Sequence, residues 1–138
     1  MSKKILMNIN LNLPNHETEL KKAEDILLEY EKKFNQHVIQ CTITNNEFIN
    51  EYENIIMILD YIGNLSKPAL NVRNELEEQY FKSYRRTPEL AKKLWIEHFK
   101  TINKPYTKLK DRCFDLLDEY DMFYQRIYNK KPPNWSCK

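Results

Sequence analysis

Glycine is nearly missing from this chain: one residue, Gly63, in 138. A dinucleotide fingerprint, a P-loop and a GxSxG elbow each need several backbone positions that glycine alone adopts or lets a ligand approach, so none can be written here. Cysteine is equally thin. Cys41, Cys113 and Cys137 are odd in number and far apart, with no CxxC, which argues against a disulfide framework and for a reducing compartment. The three histidines are preceded at the third position by Leu13, Phe34 and Trp95, so the Glu-x-x-His pairs of a dimetal bundle are absent, as is HExxH. Nothing has metal-ligand spacing, and no metal or cofactor is expected. No apolar run longer than Ile55–Leu59 occurs, too short to span a bilayer, and Ser2, Lys3 and Lys4 precede asparagine-interrupted hydrophobics instead of a secretory core. The expectation is an intracellular, cytoplasmic, non-enzymatic protein.

What the chain does have is helical periodicity. Tyr106, Leu109, Cys113, Leu116, Tyr120, Phe123 and Ile127 recur at alternating intervals of three and four, a seam that predicts a long packed helix up to Tyr128. Phe114, Leu117, Tyr124 and Tyr128 sit one position on and widen the face for more than one neighbour. Upstream, Leu20, Ala23, Leu27, Tyr30 and Phe34 define a first helix that Asn15 can cap, ending near Asn35. Thr44-Asn45-Asn46-Glu47 has capping-box spacing and opens the most apolar helix, with Phe48, Tyr52, Ile55, Leu59 and Ile62 in its seam and Gly63 as its expected left-handed end. A further helix is expected to begin at Ser66 to Pro68. Another begins after Thr87-Pro88, and Lys104-Pro105 is expected to break it from the seam helix.

Two stretches read otherwise. Residues 4 to 13 alternate, Ile5, Met7, Ile9, Leu11 and Leu13 on one side and Asn8, Asn10 and Asn12 on the other, which predicts a half-buried strand. Residues 37 to 44 are rich in β-branched side chains, and a short strand is favoured there over an extension of the first helix. The expected fold is therefore mainly α: an antiparallel bundle of about five helices in one domain, residues 1 to 131, with a minor N-terminal β element. Residues 132 to 138 are expected to form an extended tail carrying Trp135.

The net charge of +2 conceals a segregation. Residues 1 to 81 hold eight Lys/Arg against thirteen Asp/Glu, residues 82 to 112 hold ten against three, and residues 113 to 138 hold four of each. The basic block consists of Lys82, Arg85, Arg86, Lys92, Lys93, Lys100, Lys104, Lys108, Lys110 and Arg112, interleaved with Tyr84, Trp95 and Tyr106. Its plainest reading is ion pairing with the acidic first half, with the remainder solvated. Its functional readings are contact with an acidic protein, or a grip on nucleic acid or an anionic surface in which cations hold phosphates and aromatic rings stack on bases. A protein–protein interaction module or small assembly subunit is the expected function, with Trp135 as a further contact. Nucleic-acid binding through residues 82 to 112 is the alternative, and self-association is compatible with the seam.

His98, near Trp95, Phe99 and Ile102, reads first as a boundary histidine with one nitrogen satisfied. Cys113, inside the seam, reads as a small buried hydrophobe. Asp111, Asp115 and Asp118 share a face that one solvated helix explains.

Overall fold

The computed structural model describes residue 11 and residues 13–130, and it is helical throughout its regular structure. Four helices occur among the described residues: α1 (Glu17–Gln40), α2 (Asn45–Asn71), α3 (Arg73–Ser83) and α4 (Pro88–Tyr128). Their order in space follows from the contacts. Pairs between α2 or α3 and α4 run in opposite senses, from Asn45 with Tyr124 through Glu51 with Tyr120 and Ser66 with Lys110 to Tyr80 with His98. Pairs between α1 and α4 run in the same sense, from His16 with Tyr106 through Glu31 with Arg112 to Phe34 with Phe123. α2 and α3 thus form the ascending arm of a long hairpin and α4 the descending one. α1 lies antiparallel to α2 and parallel to the second half of α4.

This arrangement divides the interior. A larger core gathers Leu27, Phe34, Phe48, Ile55, Ile62, Cys113, Leu116 and Tyr120 from three helices, whereas a smaller one gathers Leu76, Tyr80, Ala91 and Trp95 from only two. Ile102 packs against both.

The number of helices departs from the sequence expectation of five because proline did not end helices where it stands. Pro105 lies inside α4, a continuous helix of 41 residues. Its ring removes one backbone bond and costs about 3 kcal/mol in a helix interior. Burial of Trp95 on one side and of Tyr106 and Leu109 on the other, each side chain contributing roughly 1.5–3 kcal/mol, outweighs that cost. Pro68 is likewise inside α2, and Gly63 is an interior residue without positive φ, not a cap. The ascending arm breaks at Val72 instead, where its backbone leaves the helical region at ψ 1°.

The strand expected at 37–44 is also replaced. α1 continues to Gln40, and Cys41 closes it in the left-handed region with φ 57°, its N–H donating to the carbonyls of His37 and Val38. β-branching at Val38 and Ile39 disfavours helix by only tenths of a kcal/mol each. The buried stripe Ala23, Leu27, Phe34, His37 continues into that last turn and decides the outcome. Thr44 does cap α2: its Oγ1 accepts from the Glu47 N–H at 3.0 Å, and Glu47 Oε1 accepts from the Thr44 N–H at 2.9 Å. Asn15 Oδ1 accepts from the Glu17 N–H at 2.9 Å, in the first turn of α1. Of the strand expected at 4–13, only Leu11 and Leu13 are described, and neither is in a strand. Residues 4–10, residue 12 and the Trp135 tail lie outside the described residues.

Candidate partner-binding surface

The tip of the hairpin is built by a short turn between α3 and α4. The Tyr84 N–H donates to the Tyr80 carbonyl and the Thr87 N–H to the Tyr84 carbonyl, both at 2.9 Å, and Pro88 then supplies the first helical residue of α4. Beneath the turn Tyr80 is fully buried, stacked on Tyr84 with ring centroids 6.2 Å apart, and its hydroxyl lies 3.0 Å from His98 Nδ1. Burial lowers the His98 pKa below the usual imidazole value, so the ring is neutral at pH 7.

Around this hydrogen-bonded turn the structure gathers half of the basic block. Lys82 closes α3, Arg85 and Arg86 occupy the turn, and Lys92 and Lys93 lie in the first two turns of α4, all exposed. Lys100, Lys104 and Lys108, each one helical turn from the next, continue the exposed cationic row along α4. None of these eight side chains makes a hydrogen bond or ion pair with any residue of the structure described.

The other two members are committed elsewhere. Lys110 is half-buried and its Nζ donates to Ser66 Oγ at 3.3 Å. Arg112 reaches across to α1, with Nη2 2.7 Å from Glu31 Oε1 and Nη1 3.0 Å from Glu24 Oε2. Hydrogen bonding to Glu31, foremost, raises the guanidinium pKa further. The plain reading of the block, pairing with the acidic first half and solvation of the remainder, agrees with this arrangement: Arg112 pairs with Glu24 and Glu31, and the eight cations at the tip and along α4 are exposed.

Of the three aromatic residues interleaved with the block, two are withdrawn from the surface and Tyr84 is half-buried. Trp95 and Tyr106 are only 5% and 8% exposed, the first under the Arg73 guanidinium and the second bonded to His16 Nδ1 at 3.0 Å. Neither ring can serve as a platform for a base.

Sequence reasoning missed the most buried polar cluster. Glu51 Oε1 accepts from the Tyr120 hydroxyl at 2.5 Å and lies 2.9 Å from His37 Nε2, with all three residues inside the larger core. Burial, together with the carboxylate of Glu51, pushes the Tyr120 pKa far above that of a free phenol. The signal was present: His37 follows the α1 stripe after Phe34, and Glu51 stands between Phe48 and Tyr52 on the apolar side of α2. Cys113 is fully buried, and its thiol is pushed up to about 11 by desolvation, so it is not a nucleophile at neutral pH. Among the described residues no three His, Cys, Asp or Glu side chains gather as a metal site, and no helix is long and apolar enough to cross a membrane.

Comparison of the chain with models of protein families, with curated proteins and with solved structures found no match.

Proposed function

We propose that this chain is a non-catalytic interaction module that grips an acidic protein surface with the tip of its α3–α4 hairpin. The observation that supports this reading is the exposure of the five cations there, Lys82, Arg85, Arg86, Lys92 and Lys93: they are gathered around one short turn and make no ion pair with the acidic residues of their own chain, and Lys100, Lys104 and Lys108 extend the same exposed charge along α4. Charge arranged in this way steers association and selects partners of opposite sign. Burial of Trp95 and Tyr106 weighs against recognition of single-stranded nucleic acid by stacking on those two rings.

The test uses fluorescence anisotropy of the full chain with two probes, a labelled glutamate-rich peptide and a labelled RNA of equal charge. Binding of the peptide that weakens with salt, and at least tenfold weaker binding by an Arg85→Glu/Arg86→Glu/Lys92→Glu variant with unchanged helical signal, is the expected result. Retention of the RNA in preference to the peptide would establish the nucleic-acid alternative. Absence of binding to either probe at low salt would remove the tip as a binding surface.

A further inference from the structure

The middle of α2 carries an outward face that the described residues leave uncovered. Asp60, Gly63, Asn64 and Lys67 follow one another at intervals of three, one and three, which places all four on one side of the helix. Asp60, Asn64 and Lys67 are exposed, and neither Asp60 nor Lys67 makes an ion pair among the described residues. Two turns of helix, about 10 Å, keep these two charges from pairing with each other. Apolar side chains flank them, with Met57 64% exposed and Leu70 43%. On the side toward α4 a groove of about 580 Å³ lies between Leu59, Gly63 and Leu70 of α2 and Lys110 and Phe114 of α4, and Phe114 is itself 52% exposed.

Two features of this face have no use within the fold described. Gly63 has no positive φ, a Cβ added there meets no neighbouring atom within 4 Å, and glycine weakens a helix interior relative to alanine. What a glycine gives an outward helix face is close approach by another backbone. Pro68, one turn further on, has no N–H to donate to the carbonyl of Asn64, so that carbonyl lacks its helical donor.

We infer that this face pairs with a second copy of itself, two α2 helices crossing antiparallel about a two-fold axis that passes between Gly63 and Asn64. The order of the residues selects this occupant by charge. Asp60 and Lys67 stand equally far on either side of the axis, so an antiparallel crossing sets Asp60 of each copy against Lys67 of the other, and symmetry makes the contact twice. Met57 and Leu70 are also equally far from the axis and come to the same level of the interface. Gly63 lets the backbones approach at the crossing, and the Asn64 carboxamide of one copy supplies a donor for the Asn64 carbonyl of the other. A parallel crossing would instead oppose Asp60 to Asp60 and Lys67 to Lys67, and a partner of one charge sign would match only one of the two. In the antiparallel pair the two hairpin tips point in opposite directions, so each dimer presents two cationic ends.

Sedimentation velocity of the full chain over a hundredfold range of concentration tests this. The parent is expected to show the mass of two chains when concentrated and of one when dilute. Asp60→Lys and Lys67→Asp, both at exposed positions, should each weaken association at least tenfold, because each sets like charges against one another twice. An equimolar mixture of these two variants should associate as the parent does, since the lysines of the first then meet the aspartates of the second, and the double reversal Asp60→Lys/Lys67→Asp should do so alone. A parent that sediments as one chain at every concentration overturns the inference, as do single variants that associate as tightly as the parent. Weakened single variants whose mixture does not recover overturn the antiparallel register, and recovery itself shows that both variants are folded. None of these outcomes depends on what the hairpin tip binds.

Discussion

Replacing Glu51 by alanine takes away an acceptor shared by two buried donors. Tyr120 is fully buried and His37 is 7% exposed, and water cannot reach either polar tip without opening the junction of α1, α2 and α4. Breaking a buried, hydrogen-bonded charged cluster from one side costs about 3–5 kcal/mol, because the remaining groups keep their desolvation penalty and lose their partner. That is a large share of the roughly 5–15 kcal/mol that holds a domain of this size together. The same reasoning gives a second, opposite expectation. A His37→Leu/Glu51→Met/Tyr120→Phe variant removes all three polar groups at nearly constant volume, and its stability should return to within about 1 kcal/mol of the parent or exceed it. Urea unfolding followed by far-ultraviolet circular dichroism, with midpoint and slope both fitted, measures the two. A loss below about 1 kcal/mol for Glu51→Ala, or a triple variant as weak as the single one, would refute the account of this cluster as a satisfied network whose value lies in being complete.

Two further outcomes follow from the helices. Gly63 stands in the interior of α2, and a methyl group added there meets no atom within 4 Å, so Gly63→Ala should stabilise by about 0.5–1 kcal/mol and raise the melting temperature in calorimetry. A lower melting temperature would show that the position needs glycine for a reason other than helix propensity. His98 is held neutral by burial, so its contribution is fully present above its ordinary pKa of 6.5 and is lost as pH falls below it, because the unfolded chain then takes up a proton more readily than the folded one. The parent should therefore lose more stability between pH 7 and pH 5 than a His98→Asn variant, and parallel pH profiles would contradict the assignment.

The seam of α4 was legible because nothing competes with it: Tyr106, Leu109, Cys113, Leu116, Tyr120 and Phe123 are all buried, as their spacing requires. The capping box at Thr44 was legible for the same reason, since both of its bonds are local. Punctuation by proline and glycine misled at Pro105, Pro68 and Gly63. Each is a local preference of at most a few kcal/mol, and the core contacts that override it come from residues far away in sequence. The basic block was legible as composition but not as a surface. Whether Arg112 or Lys104 finds a carboxylate depends on where α1 lies, which spacing within α4 does not report. The fate of Trp95 and Tyr106 could have been read: eleven residues apart, three turns of helix, they share the face that Leu109 and Cys113 continue.

Stability gives little reason for so many cations at the hairpin tip. The C-terminus of α3 and the N-terminus of α4 meet across the turn Tyr84–Thr87, and their dipole ends have opposite sign, so the fields that each helix would present alone largely cancel there. Lys82, Arg85, Arg86, Lys92 and Lys93 are then opposed only by Glu89 within the same stretch, and mutual repulsion among exposed like charges raises the free energy of the folded tip slightly. Nothing among the described residues offsets this, whereas Arg112, with two carboxylates at hydrogen-bonding distance, shows what a cation recruited by the fold looks like. Beyond a Debye length of about 8 Å at physiological salt the field of the tip is largely screened, so any steering of an acidic partner that we propose for it should weaken as ionic strength rises.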